Sequence, residues 1–326
     1  MLASRLEPPV LADVVAATAR IEPYLRPTEL RSYRALSDLV GTEVWIKHEN
    51  RLPTGAFKVR GGINLVAQLP PEVREAGLIA ASTGNHGQSI AYAAQLFGTR
   101  AVICVPEGAN PVKVASMQSL GAEVIFHGRD FDEAREHCAQ LAEAHGYRYV
   151  HSGDEPDLLA GVGTATLEIL SEQPGIDTIV VPIGGGSGAA GACIAGKAIR
   201  PSLEVIGVQS TAAPAAYRSW REGHLVEDRM ETFAEGLATR VGFELPQRVL
   251  HDQLDDFILV SDDAIRAAVL QMIEATRTLV EAAGAAPLAA ALDLRERLAG
   301  RRVALICSGG NITMPQLAEL LTASSP

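Results

Sequence analysis

No stretch of this chain is apolar over the length that a bilayer-spanning helix needs. Its start, Met1-Leu2-Ala3-Ser4-Arg5-Leu6-Glu7-Pro8-Pro9, lacks the apolar run behind a basic segment that marks a secretory leader. A cytoplasmic location with no membrane partner is the expectation. Blocks of lysine and arginine are missing as well. The formal net charge is -11 and the pI about 5.2, so nothing in the chain suits a phosphate backbone and no nucleic-acid partner is expected. The four cysteines, Cys104, Cys138, Cys193 and Cys307, lie far apart and form no Cys-x-x-Cys pair. That removes the usual zinc and dithiol motifs and leaves buried, reduced thiols. Neither a His-Glu-x-x-His helix nor a Gly-x-Ser-x-Gly elbow occurs, so two common hydrolase designs drop out.

What is present is a long alternation of strand and helix signals. With 326 residues, 47% of them hydrophobic, the chain can build two α/β cores. After a helical stretch at 10–19, strands are predicted at 43–47, 78–81, 101–105, 123–126 and 147–150, with helices at 58–68, 87–97, 112–120 and 131–145 between them. The rhythm resumes with helix 159–172, strand 178–181, helix 189–199 and strand 204–208. It loosens over 211–255, where proline and glycine breaks allow short helices and loops. It closes with strand 257–260, helices from 263 and over 287–298, strand 302–306 and a last helix. The expectation is α/β, with two parallel-sheet domains, a boundary near residue 151 and a ligand in the cleft between them, since open parallel sheets bind at the carboxyl ends of their strands.

Four loops at strand ends carry the chemistry-bearing residues. In Glu49-Asn50-Arg51-Leu52-Pro53-Thr54-Gly55-Ala56-Phe57-Lys58, turn residues lead to a lysine at a helix start. Burial and a positive helix end both disfavour an ammonium, so Lys58 is a candidate nucleophile toward a carbonyl. Ser82-Thr83-Gly84-Asn85-His86-Gly87 opens the next helix with free amides and polar side chains that suit a carboxylate, and His86 is read as positioning rather than transferring protons. Gly184-Gly185-Gly186-Ser187-Gly188 can close backbone amides around a phosphate. Its overlap with a dinucleotide fingerprint misleads, because the next strand ends at Gln209 where the ribose-binding acid belongs. A Walker loop fails too, with Ala198 where a metal-binding hydroxyl is required. Finally, Ser308-Gly309-Gly310-Asn311 follows the last strand and places a hydroxyl where a cofactor nitrogen can meet it.

Taken in this order, the four motifs resemble the fold type II pyridoxal phosphate enzymes, whose architecture is tryptophan synthase beta-like. Among these the threonine and serine dehydratases are the most similar, with serine racemase-like relatives nearby. The resemblance covers nearly the whole chain and implies a larger cofactor-binding domain of residues 1–52 and 151–326 and a smaller substrate-binding domain of residues 53–150. It implies pyridoxal 5'-phosphate as cofactor, with Lys58 as Schiff-base lysine and α-proton base and Phe57 against the ring. Asn85 would meet the ring hydroxyl, Gly184, Gly185, Gly186, Ser187 and Gly188 the phosphate, and Ser308 the pyridine nitrogen. The substrate carboxylate would lie on Ser82, Thr83, Asn85 and His86. A neutral hydroxyl at the ring nitrogen makes the ring a weaker electron sink than an aspartate would, which favours loss of a β-substituent over transamination.

The implied activity is a lyase that turns a 3-hydroxy amino acid, L-threonine or L-serine first, into a 2-oxo acid and ammonia. Racemisation of serine or aspartate, with Thr83 as second base, is the alternative, as is a dehydratase of hydroxyaspartate or phenylserine. Relatives that bind a divalent cation use a glutamate where this chain has Gln209, and 211–215 supply no carboxylate, so no metal is expected. The chain closes soon after its last helix without a regulatory domain, which points to amino-acid catabolism. Ala56, Phe57, Gln88, the 233–238 stretch and the Glu281 region are expected around the substrate side chain. The resemblance also implies a homodimer.

Overall fold

The computed structural model describes residues 6–323. Met1 to Arg5, part of the stretch read for a leader, and residues 324–326 lie outside the described residues, so the extreme ends of the expected larger domain do too. Ten strands run in chain order as β1 (Leu30–Ser32), β2 (Glu43–His48), β3 (Leu78–Ala81), β4 (Ala101–Val105), β5 (Glu123–Phe126) and β6 (Arg148–Tyr149), then β7 (Thr178–Pro182), β8 (Glu204–Ser210), β9 (Asp256–Val260) and β10 (Arg302–Cys307). They form two sheets. One has the order β1-β2-β10-β7-β8-β9, parallel except for β1, and the other β5-β4-β3-β6, parallel throughout.

The strand sequences explain the layering. Leu78-Ile79-Ala80-Ala81 and Ala101-Val102-Ile103-Cys104-Val105 are buried at every position, as strands covered by helices on both faces must be. All four cysteines are buried and unpaired, as expected. In the larger sheet β10 lies between β2 and β7, with Cys307 opposite His48. Three successive carboxyl ends therefore stand side by side, and they carry the lysine loop, the Ser308 loop and the glycine loop.

Several boundaries differ from the sequence expectation, for local reasons. The helix expected at 87–97 starts at Asn85, and the one expected at 159–172 starts at Pro156, whose missing N–H costs nothing in a first turn. The helix expected at 287–298 is two helices, Ala282–Asp293 and Arg295–Leu298, so Pro287 is inside rather than first. Ala283 to Ala291 are all buried there, and that packing outweighs the hydrogen bond a helical proline forfeits. The loose 211–255 stretch holds helices Ala215–Glu222 and Glu244–Gln253 with a 3-10 turn at Glu235–Leu237. Strand β1 and the short helices Arg34–Val40 and Pro71–Ala76 have no counterpart in the expectation.

Candidate active site

The Lys58 side chain is the meeting point of both sheets' loops. Helix Lys58–Gln68 begins at the lysine itself, and Nζ donates to the Ser152 carbonyl at 2.9 Å and to Ser187 Oγ at 2.8 Å. Burial lowers its pKa from the ordinary 10.5 to about 8, so an appreciable share of the amine is free near neutrality. Ser152 lies just beyond β6, and Ser187 opens the helix Ser187–Ile199, so neither contact is adjacent in sequence.

The other motifs are joined to this point by named bonds. Phe57 N donates to the Ser308 carbonyl at 2.9 Å, and Gly310 N to the Gly55 carbonyl at 2.9 Å, which clamps the lysine loop to the Ser308 loop. Asn311 Nδ2 donates both to the Thr54 carbonyl at 2.9 Å and to Asn85 Oδ1 at 2.8 Å, bringing in the loop after β3. Phe57 faces the glycine loop, since a Cβ added at Gly188 would lie 3.1 Å from its ring. All four motifs thus form one hydrogen-bonded set.

Two runs of unpaired backbone donors lie within that set. The N–H groups of Gly184, Gly185, Gly186, Ser187 and Gly188 make no hydrogen bond among the described residues, and they sit at a helix start, where the dipole favours an anion. The tight turn depends on Gly186 at φ +92°. A Cβ at Gly185 would lie 2.0 Å from the Phe243 ring, so only glycine fits beneath that aromatic. The N–H groups of Thr83, Asn85 and His86 are likewise free among the described residues, donors that suit a carboxylate.

The side chains of that second loop are more committed than the sequence suggests. Ser82 Oγ accepts from Gly84 N and Gly87 N and shapes the turn. Asn85 Nδ2 donates to Glu281 Oε1 at 2.8 Å, which leaves one amide proton for another acceptor. His86 Nε2 lies 3.2 Å from the Val150 carbonyl, which can only accept, so Nε2 carries the proton and the buried Nδ1 is a bare acceptor without a partner among the described residues. Burial, reinforced by Lys58, holds its pKa at about 3 and the ring neutral. Its backbone N–H, not its imidazole, is the group that suits a carboxylate. The Thr83 and Ser308 hydroxyls make no hydrogen bond among the described residues and are free for a ligand.

Sequence reasoning missed the supports. Arg60, 1% exposed and two residues after the lysine, donates to Glu49 at 2.6 and 2.8 Å and to Glu168 at 2.6 and 2.8 Å. Burial opposes its charge, but Glu49 and Glu168 more than offset that and raise its pKa. Burial likewise acts to raise Glu49, and Arg60 outweighs it and holds the carboxyl below its ordinary value. Ser152, Phe243 and Lys113 were missed too. Lys113, from helix Pro111–Ser119, pairs with Glu235 of the other sheet's body, and Gln316 Nε2 donates to the same carboxylate at 2.8 Å. Only position in the fold marks these residues, because no local motif surrounds them.

A buried amine, two sets of free N–H donors and a free hydroxyl in one cleft suit a cofactor with an aldehyde and a phosphate. A family profile described as "Pyridoxal-phosphate dependent enzyme" matches residues 21–309. The chain belongs to the pyridoxal-phosphate dependent enzymes. Within that family it is similar to an L-threonine ammonia-lyase of Geobacter sulfurreducens, 38% identical over 94% of this chain and 76% of the relative. It is also similar to an L-threo-3-hydroxyaspartate ammonia-lyase of Saccharomyces cerevisiae, 35% identical over 96% of this chain and 97% of the relative. The structure of maize serine racemase superposes with a TM-score of 0.92 at 31% identity, over 97% of this chain and 98% of that one. As a pyridoxal-phosphate dependent enzyme the chain has the tryptophan synthase beta-like arrangement of parallel sheets. Its residues fit the cofactor, with Lys58 for the aldehyde and five unpaired N–H groups for the phosphate.

Proposed function

We propose that this enzyme is a dehydratase, an ammonia-lyase that converts a 3-hydroxy amino acid, L-threonine or L-serine first, into a 2-oxo acid and ammonia. The observation that carries the reading is the buried Lys58 amine, lowered to a pKa of about 8 and held in one hydrogen-bonded set with a loop of free N–H donors that suits a carboxylate. Thr83, Asn85 and His86 N–H groups bind the substrate carboxylate and orient the α-hydrogen toward Nζ. Lys58 then takes that proton at Nζ, a base whose pKa is close enough to neutrality for both uptake and return. When bound, the cofactor supplies an electron sink for the α-carbon, moderated because Ser308 offers its ring nitrogen only a neutral hydroxyl. Loss of the 3-hydroxyl as water leaves an enamine, which regains water and releases ammonia.

Phe57 is assigned to the ring face, Asn85 to the ring hydroxyl, and the 184–188 loop to the phosphate. Residues 53–150 are read as the smaller, substrate-binding domain and 1–52 with 151–326 as the larger, a division supported by which strands enter which sheet. No metal enters the scheme, because Gln209 Nε2 donates to the Leu237 carbonyl and Oε1 accepts from Tyr217 N, an amide in a place that would need a carboxylate. A cytoplasmic homodimer completes the reading; among the described residues no helix is long and apolar enough to cross a membrane.

A second reading, racemisation of serine or aspartate, is favoured by the unpartnered Thr83 hydroxyl and by the serine racemase likeness. Incubation with pyridoxal phosphate and a panel of L- and D-3-hydroxy amino acids separates the two. Release of ammonia and 2-oxo acid, absent in Lys58→Ala, is the expected result. Inversion of serine without ammonia release would replace the dehydratase by the racemase.

A further inference from the structure

Ser187 is 2% exposed, and its hydroxyl oxygen accepts from Lys58 Nζ at 2.8 Å. A hydroxyl has one proton to give as well as lone pairs to offer. The Ser187 proton has no acceptor among the described residues, although the residue is buried and surrounded by the free N–H groups of Gly184 to Gly188. A buried donor without an acceptor costs free energy unless a ligand supplies one. The unpaired N–H groups of the same loop are donors as well, so an anion held there would supply the missing acceptor.

We propose that Ser187 is a positioning residue that couples the catalytic amine to the anion cradle, accepting from Lys58 and donating its own proton to a phosphate oxygen held there. One oxygen atom then reports each site to the other. An anion that takes the Ser187 proton makes that oxygen a better acceptor and strengthens its hold on a charged Lys58. By linkage, a charged Lys58 strengthens anion binding by the same factor. The Ser152 carbonyl, the amine's other partner, lies outside the glycine loop and provides no such connection. The inference rests on the reading of Lys58 and of the 184–188 loop, not on which amino acid is consumed.

The test uses the full-length chain freed of pyridoxal phosphate, with inorganic phosphate as probe. Lys58 acetylation is followed by mass spectrometry across pH, with and without phosphate, in the parent and in Ser187→Ala and Ser187→Gly. Loss of a hydrogen bond to an ammonium is expected to move the Lys58 midpoint down by about one pH unit in both variants, a tenfold change in the amine's charge equilibrium. Phosphate is expected to raise the parent's midpoint, and to raise it less in the variants. Pyridoxal phosphate affinity is expected to lose part of its pH dependence in the same two variants. Circular dichroism confirms that each variant is folded, and Ser187→Thr, which keeps the hydroxyl, is expected to restore the parent's midpoint. Unchanged midpoints with an unchanged phosphate response would overturn the proposal. The titration does not involve turnover, so a failure to release ammonia from any amino acid leaves it standing.

Discussion

Lys58 occupies a place that penalises its own charge, and this has a measurable sign. Its pKa falls from 10.5 in the unfolded chain to about 8 in the fold. Between those values the unfolded chain binds more protons, so stability rises with pH through that window, and the penalty is present in full below pH 8. Lys58→Met should therefore raise the urea midpoint of the cofactor-free protein at pH 7 and have little effect above about pH 10.5, the unfolded value of lysine. An equal gain at both pH values would mean that the amine is not destabilised by burial. Gly185 gives a second test at this scale. Its added Cβ would lie 2.0 Å from Phe243 Cε2, and an aromatic ring packed between Gly185 and Gly153 has little room to withdraw. Gly185→Ala should cost about 1–3 kcal/mol and weaken cofactor binding, and Phe243→Ala in the same chain should restore part of both. Independent, additive effects in that double-mutant cycle would count against the contact.

The helix Lys58–Gln68 shows how an element is aimed as well as formed. Its neighbours come very close: a Cβ at Gly161 would lie 2.6 Å from the Arg60 carbonyl, so helix Pro156–Glu172 packs backbone to backbone against it. Arg60 then fixes its rotation by reaching Glu49 just past β2 and Glu168 on that neighbouring helix. Arg60→Met would leave two carboxylates without their shared partner, one of them, Glu49, fully buried, and should cost about 3–5 kcal/mol by urea denaturation. Arg60→Lys should recover little, because one ammonium cannot serve two carboxylates in a fork. A loss near zero for Arg60→Met would show that packing alone aims the lysine. These supports are what the sequence hides. Strands such as Leu78–Ala81 and Glu123–Phe126, and the helix Phe131–His145, were legible to the residue because apolar runs and flanking turns are local signals. The loop motifs were legible for the same reason, since glycines and polar residues at strand ends are read in place. Arg60 with Glu168, Lys58 with Ser152, and Gly185 with Phe243 are each separated by many tens of residues, and only the assembled sheets bring them together. The buried Pro287 went astray for the complementary reason: a local rule lost to packing that only the whole core supplies.

At the scale of the molecule, several ion pairs join the body of the four-stranded sheet to that of the six-stranded sheet, among them Arg240–Asp132 and Lys113–Glu235, and the second sits next to the candidate carboxylate loop. Lys113 belongs to the body of the four-stranded sheet and Glu235 to that of the six-stranded sheet, with Gln316 of the last helix holding the glutamate from its other side. A Cβ at Gly84 would lie 3.7 Å from Lys113 Cδ, so the lysine side chain runs close beside the Ser82–His86 turn. The pair thus holds the two sheets' bodies together beside that turn. Glu235 is 42% exposed at its side chain, so the attraction is screened by salt and amounts to about 1 kcal/mol or less. Lys113→Met should raise KM for the amino acid by at most about fivefold with a smaller change in kcat, because it removes a contact that holds the cleft rather than a reacting group. Glu235→Gln should cost more, since Lys113 is 7% exposed and would keep a buried charge without its carboxylate. The decisive comparison is ionic strength. The parent's KM should climb between low and moderate salt, whereas that of Lys113→Met should stay flat. A variant that keeps the parent's salt dependence would place the screened interaction elsewhere and leave the Lys113–Glu235 pair without a part in holding the cleft.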